Sequence, residues 1–242
     1  MALTSGLISH WKLEETGVSD RLDSVGTNHL TPTATIAAAT GKIGSGCDFE
    51  RDDARKLEIV DNASLSLTGA MTIGCWLKAE SVGITATLMS KWFTTTSQRS
   101  YLCRQMSTNV LQFFVSSNGT TNTSIMATTL GAISAGTWYY FLAGYDLTNI
   151  WIQPNGGTRD STAFSAGIFD GTAAFAIGYE TTNFFDGVID EVSIWNRSLS
   201  TAEGAQMWNG GYGLELTGGA FVSTIRQTRR ARPMGIGIRI GI

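Results

Sequence analysis

Proline is nearly missing from this chain: the 242 residues contain three, which leaves almost every candidate strand free to pair along both edges. Histidine is scarcer still. His10 and His29 are the only two, and neither stands in a zinc, Ser-His-Asp or Cys-His pattern, so both are read as structural or exposed. The three cysteines, Cys47, Cys75 and Cys103, are odd in number and too widely spaced for zinc ligands or a redox motif. They are expected as buried free thiols. Charged residues make up only 15% of the chain, and no apolar run approaches the roughly 20 residues that cross a bilayer. The opening MALTSGLISHW has no charged segment followed by an apolar one and passes at once into a strand pattern, which points away from signal-peptide secretion.

What the sequence does have is glycine, 28 residues of it, and 43% hydrophobic residues. That is the composition of many strands joined by turns around a substantial core. The length permits one large sandwich or two small domains, and one is the better account. Leu7, Ser9, Trp11 and Leu13 alternate onto one face of a first strand. Residues 41–49 read as a turn feeding a short strand, and further strands are expected over 56–60, 71–79, 85–90, 100–105, 110–116, 124–129, 137–146, 149–154, 173–178 and 187–196, with Gly, Asn, Asp and Ser between them. About a dozen short strands at that spacing predict an all-β sandwich. One two-turn helix is expected through Trp208, because Ser200-Thr201-Ala202-Glu203 fits a capping box and Gly210-Gly211 supplies a stop.

Charge is unevenly spread. Residues 217–242 hold Arg226, Arg229, Arg230, Arg232 and Arg239 and no acidic residue, so the net charge of −3 conceals −8 on residues 1–216. The chain therefore divides into a body, 1–216, and a basic arm, 217–242, that face different surroundings. The arm ends by alternating glycine with isoleucine, a pattern able to add a strand to a neighbour's sheet edge, while its arginines could grip an acidic surface. Nucleic acid is disfavoured, because stacking aromatics are not interleaved with the arginines.

Ordered motifs then suggest a family. Gly6-Leu7-Ile8-Ser9-His10-Trp11-Lys12-Leu13, Asp23-Ser24-Val25-Gly26, Gly41-Lys42-Ile43-Gly44, Met71-Thr72-Ile73-Gly74-Cys75-Trp76, Gly136-Thr137-Trp138-Tyr139-Tyr140 and Phe185-Asp186-Gly187-Val188-Ile189-Asp190-Glu191-Val192-Ser193-Ile194-Trp195 follow one another as in laminin G-like domains of the concanavalin A-like superfamily. The resemblance spans about 5–212 and implies two antiparallel sheets packed as a jelly roll. Related folds often hold a structural calcium between the last strand and an early Gly-rich loop. The resemblance thus makes Asp190 a candidate calcium ligand, with backbone carbonyls around Gly44 and Gly46 and the side chain of Asp48 as companions. The alternative for Asp190, read as one carboxylate on a face shared with Val188, Val192 and Ile194, is hydrogen bonding to backbone amides.

For glycan binding, which needs an exposed aromatic with polar neighbours, Trp92, Phe93, Tyr179 and Phe184 are the candidates, against packing as the plain alternative. Asp20, Asp23 and Asn28 are read as Asx turns, with a loop calcium site as the alternative, and Asp52 and Asp53 as solvated charges. A retaining glycosidase needs two carboxylates on one face about 5 Å apart. No Glu-x-Asp-x-Glu run exists, and alternation sends Asp190 and Glu191 to opposite faces, so the chain reads as non-catalytic. The leading expectation is a structural or adhesion protein anchored by its arm in a larger assembly, such as a virion decoration, fibre or tail component, with protein partners and homo-oligomers. The alternatives are a calcium-dependent, glycan-binding cell-surface module and, last, a divergent glycoside hydrolase.

Overall fold

The computed structural model describes residues 2–216; the arm, with Arg226, Arg229, Arg230, Arg232 and Arg239, lies outside the described residues. Fifteen strands follow in chain order: β1 (Leu7–Trp11), β2 (Thr31–Pro32), β3 (Ala37–Thr40), β4 (Ser45–Phe49), β5 (Leu57–Ile59), β6 (Met71–Ala79), β7 (Ala86–Phe93), β8 (Gln98–Gln105), β9 (Leu111–Gly119), β10 (Thr123–Met126), β11 (Trp138–Tyr145), β12 (Asn149–Ile152), β13 (Asp160–Ala163), β14 (Phe175–Ile177) and β15 (Gly187–Trp195). A single α-helix, α1, spans Thr201–Trp208. The expected strands are all present. β2, β3 and β13 were not foreseen, being short and rich in Thr, Ser and Ala.

The strands form two antiparallel sheets, as expected of the jelly roll. An eight-stranded sheet runs β13-β12-β11-β6-β15-β4-β3 with β1 also on β15, and a seven-stranded sheet runs β10-β9-β8-β7-β14-β5-β2. Period-two alternation builds the core between them. In β6, Met71, Ile73, Cys75, Leu77 and Ala79 turn inward, and so do Phe141, Ala143 and Tyr145 of β11, to meet Met89, Tyr101, Phe113 and Phe175 of the other sheet. Burying each such large side chain is worth about 1.5–3 kcal/mol. Cys47, Cys75 and Cys103 are buried free thiols, as expected.

The eight-stranded sheet is apolar on its outer face as well. Trp76, Tyr140, Leu142, Trp151 and Trp195 lie there beneath Leu3, Leu199, Met207 and Leu216, with Trp208 and Leu214 packed alongside. The indole N–H groups of Trp195 and Trp151 find Leu3 O and Ser198 Oγ, as a buried tryptophan requires. Helix α1 seals this face, and the capping box read from the sequence holds it: Ser200 Oγ accepts from the Glu203 amide, and Glu203 accepts from the Ser200 amide. The helix stops at Asn209, in the left-handed region at φ 49°, one residue before the expected Gly210.

β15 departs from simple alternation. Its register on β6 slips between Asp190 and Ser193, and Glu191 has φ 52°, which makes a bulge that reverses facing. Val188 and Asp190 face outward, opposite Asp48 and beside Gly46 and Trp76, whereas Val192 and Ile194 turn into the core with Ile189. The single face expected for Val188, Asp190, Val192 and Ile194 is thereby divided. The bulge also marks a change of neighbour along one edge, β4 pairing with 187–189 and β1 with 192–195.

Candidate binding faces

Asp190 is fully buried, and its Oδ2 accepts the amides of Lys42 at 2.7 Å and Ile43 at 2.9 Å. Burial, reinforced by the adjacent charge of Glu191, pushes its carboxyl up to about 8, because desolvation disfavours the ionised form. Gly41 makes the approach possible: a β-carbon there would sit 2.7 Å from Oδ2. Gly44, at φ 60°, presses on the Glu14 carboxylate, and its carbonyl is taken by the Gly41 amide at 3.0 Å. Asp48 lies two positions along the same face, its Oδ1 without a hydrogen bond, and its charge helps raise Glu80 after burial has done most.

A calcium shell takes six to eight oxygens, and of this set Asp190 Oδ1 and Asp48 Oδ1 are buried without hydrogen bonds. Two amides already occupy Asp190 Oδ2, the Gly44 carbonyl closes a turn, and among the described residues no three His, Cys, Asp or Glu side chains converge for a metal ion. The observed arrangement is a carboxyl clamped by backbone amides. Asp23 behaves likewise: its burial would raise the pKa, but the amides of Gly26, His10 and Val25 outweigh that and hold it below the usual range.

Asp190 and Glu191 share the outer side, contrary to the alternation reading, because the bulge swings Glu191 toward His10, 3.2 Å from Nε2. His10 in turn meets Ser193 Oγ at 2.9 Å. Both carboxylates are almost wholly buried, which closes them to a substrate.

The outer face of the seven-stranded sheet is built differently. Successive rows across β5, β14, β7, β8, β9 and β10 place Glu58, Ala176, Ser90, Leu102, Phe114 and Ser124 side by side, then Thr87, Arg104, Gln112 and Met126. Ala176, Ser90, Leu102, Thr87 and Gln112 are buried, whereas Glu58, Phe114, Arg104 and Ser124 are half-buried and Met126 is exposed. Glu180, 2% exposed, anchors the rim: it pairs with Arg104 and accepts from Thr94 Oγ1 at 3.2 Å and Thr181 Oγ1 at 2.5 Å. That ties the turn after β7 to the loop after β14.

The four aromatic candidates fall around this rim. Trp92 is only 6% exposed, with the edge of Phe114 against it at 6.4 Å and the Arg99 guanidinium over its ring at 5.8 Å, so its face is already covered. Phe93 is 37% exposed. Tyr179 and Phe184 stack on each other at 4.9 Å, and Lys56 lies 4.4 Å over Tyr179. Sequence reasoning missed Phe114, Arg104 and Gln112, whose common face emerges only from strand pairing. The available signal was the alternation of Gln112 and Phe114 with inward Leu111, Phe113 and Val115.

The two antiparallel sheets form the sandwich expected of a jelly roll. A family model, described as the concanavalin A-like lectin/glucanases superfamily, matches residues 52–203, and the chain belongs to that superfamily, as the motif resemblance implied. Domain 4 of AbnA, a GH43 extracellular arabinanase from Geobacillus stearothermophilus, solved with arabinotriose, has a TM-score of 0.61 at 20% identity over 83% of this chain and 97% of that one. The binding domain of Paraclostridial Mosquitocidal Protein 1 has a TM-score of 0.66 at 13% identity, over 87% of this chain and 53% of that one. The botulinum neurotoxin DC binding domain solved with SialylT has 0.66 at 11%, over 86% and 52%. The chain thus spans about half the length of these toxin binding domains, and at such identities the likeness shows the fold. No curated protein matches the sequence.

Proposed function

We propose that the domain is a non-catalytic recognition module that binds a glycan on the outer face of its seven-stranded sheet. The partly exposed patch of Arg104, Phe114, Ser124 and Met126 on β8, β9 and β10 carries this reading. The eight-stranded face is buried under α1 with Leu3, Leu214 and Leu216, whereas the opposite face keeps Phe114, Arg104 and Ser124 half-buried and Met126 exposed, an aromatic ring with polar neighbours. That similar folds were solved with arabinotriose and SialylT supports it. The burial of Asp190 and Glu191 supports a role without hydrolysis.

A glycan array probed with purified protein tests the proposal, and failure to bind any glycan would overturn it. A chelator arm of the same array addresses calcium, which would have to use Asp190 Oδ1 and Asp48 Oδ1, the oxygens of this pair left without hydrogen bonds. With the donors so placed, binding is expected to survive chelation.

A second reading, that the body is displayed on a larger assembly such as a virion decoration, fibre or tail component, is favoured by where the arm attaches. Leu216, at the end of the described residues, is buried on the eight-stranded face, away from the proposed recognition face. Deleting 217–242 should abolish incorporation into the particle and leave glycan binding intact; an arm-less protein that still assembles would contradict this.

A further inference from the structure

Beside the start of α1 lies a groove of about 610 Å³ lined by Arg159, Arg197, Ser198, Leu199, Ser200, Ala202, Glu203 and Gln206. Its size suits a small ligand, and its charges are unequal in what they already do. Arg197 is spent: its guanidinium pairs with Glu203 at 2.7 Å and donates to Ser5 O and Ala2 O. The helix N-terminus is spent too, since Ser200 and Glu203 close the capping box.

Arg159 is not. Its guanidinium lies flat on Trp151, 3.5 Å from the ring centroid, and Nη2 donates to Gln153 Oε1 at 2.9 Å and Leu199 O at 3.0 Å. Nε has no acceptor. Nη1 has no protein acceptor and keeps some solvent access, and Arg159 lines the groove. Among the described residues no carboxylate stands within ion-pair distance of Arg159. Its position is fixed by stacking and two hydrogen bonds, so an anion meeting Nη1 would find a donor already ordered. Burial lowers its pKa to about 10, the charge of Asp146 offsetting part of that, as for a cation short of solvent. Around it, the exposed Gln206 amide is unengaged, and the exposed Ala202 gives a small apolar surface over the buried Leu199.

We infer that this groove binds the carboxylate of a sugar acid, with Arg159 Nη1 on the carboxylate and Gln206 on a ring hydroxyl. The inference rests on the reading of the domain as a glycan-binding module but places its ligand on a different surface from the open sheet face.

Binding of methyl glucuronide and methyl glucoside to residues 1–242, followed by backbone amide shifts, tests it. The glucuronide should shift the amides of 198–206 and bind at least about 10-fold more tightly than the glucoside. R159Q should remove that preference. Because Arg159 also packs, Ala202→Glu provides the second test: residue 202 is exposed in the first helical turn, where a carboxylate favours the helix, so the fold stays intact while the new charge repels the ligand. Equal affinity for both sugars, or a preference that survives A202E, would overturn the inference. Neutral glycan binding lost by variants of the open sheet face, with no glucuronide effect at 198–206, would reject this site and keep the proposed function. The reverse pattern would reject that function and keep this site.

Discussion

Asp190 and Gly41 meet so closely that no side chain fits between them: a β-carbon on Gly41 would lie 2.7 Å from the carboxylate oxygen that the Lys42 and Ile43 amides hold. This contact fastens the β3–β4 turn to the last strand, and its energetics depend on pH. The Asp190 carboxyl is raised from 3.8 to about 8. Below pH 3.8 folded and unfolded chains both keep the proton. Between there and pH 8 the unfolded chain releases a proton that the folded chain retains, so stability falls as pH rises. Asp190→Asn keeps an acceptor for both amides and removes the charge. Its melting temperature should exceed that of the wild type at pH 8 and approach it near pH 4, read by calorimetry across that range. Gly41→Ala should lose about 2 kcal/mol or more at every pH.

Glu203 has the opposite sign. The Arg197 hydrogen bond, helped by Ser200, holds its carboxyl down at about 2 against the usual 4.5. The stability it contributes is complete above pH 4.5 and disappears as pH falls toward 2. Glu203→Ala removes the capping box and the ion pair together and should cost about 2–3 kcal/mol at pH 7 in urea denaturation, shrinking markedly by pH 3.

Arg104→Ala leaves the Glu180 carboxylate buried without its cation. The expected loss is about 2–3 kcal/mol. The double variant Arg104→Ala, Glu180→Gln should recover at least half, measured as a double-mutant cycle.

How much of this was legible beforehand depended on which partners a residue meets. β6, β11 and β15 were readable because apolar residues fill both of their faces, and the capping box because its two members lie three residues apart. The bulge was not, since left-handed backbone usually selects Gly or Asn and Glu191 gives no such sign. That one residue reversed the facing of Val192 and Ile194 and brought Glu191 to the side of Asp190. Trp92 looked available in sequence, yet the groups that cover it, Arg99 and Phe114, come from two other strands. Arg159 carried no local signal, because its setting is made by Trp151, Gln153 and the Leu199 carbonyl.

The proposed glycan-binding face is tested most directly by one affinity comparison, using the tightest glycan found on the array. Phe114→Ala, on the open face, should weaken binding about 10-fold, or about 1.4 kcal/mol, while Tyr212→Ala, exposed after α1, should leave it unchanged. Binding that is untouched by Phe114→Ala, or lost with Tyr212→Ala, would contradict the account.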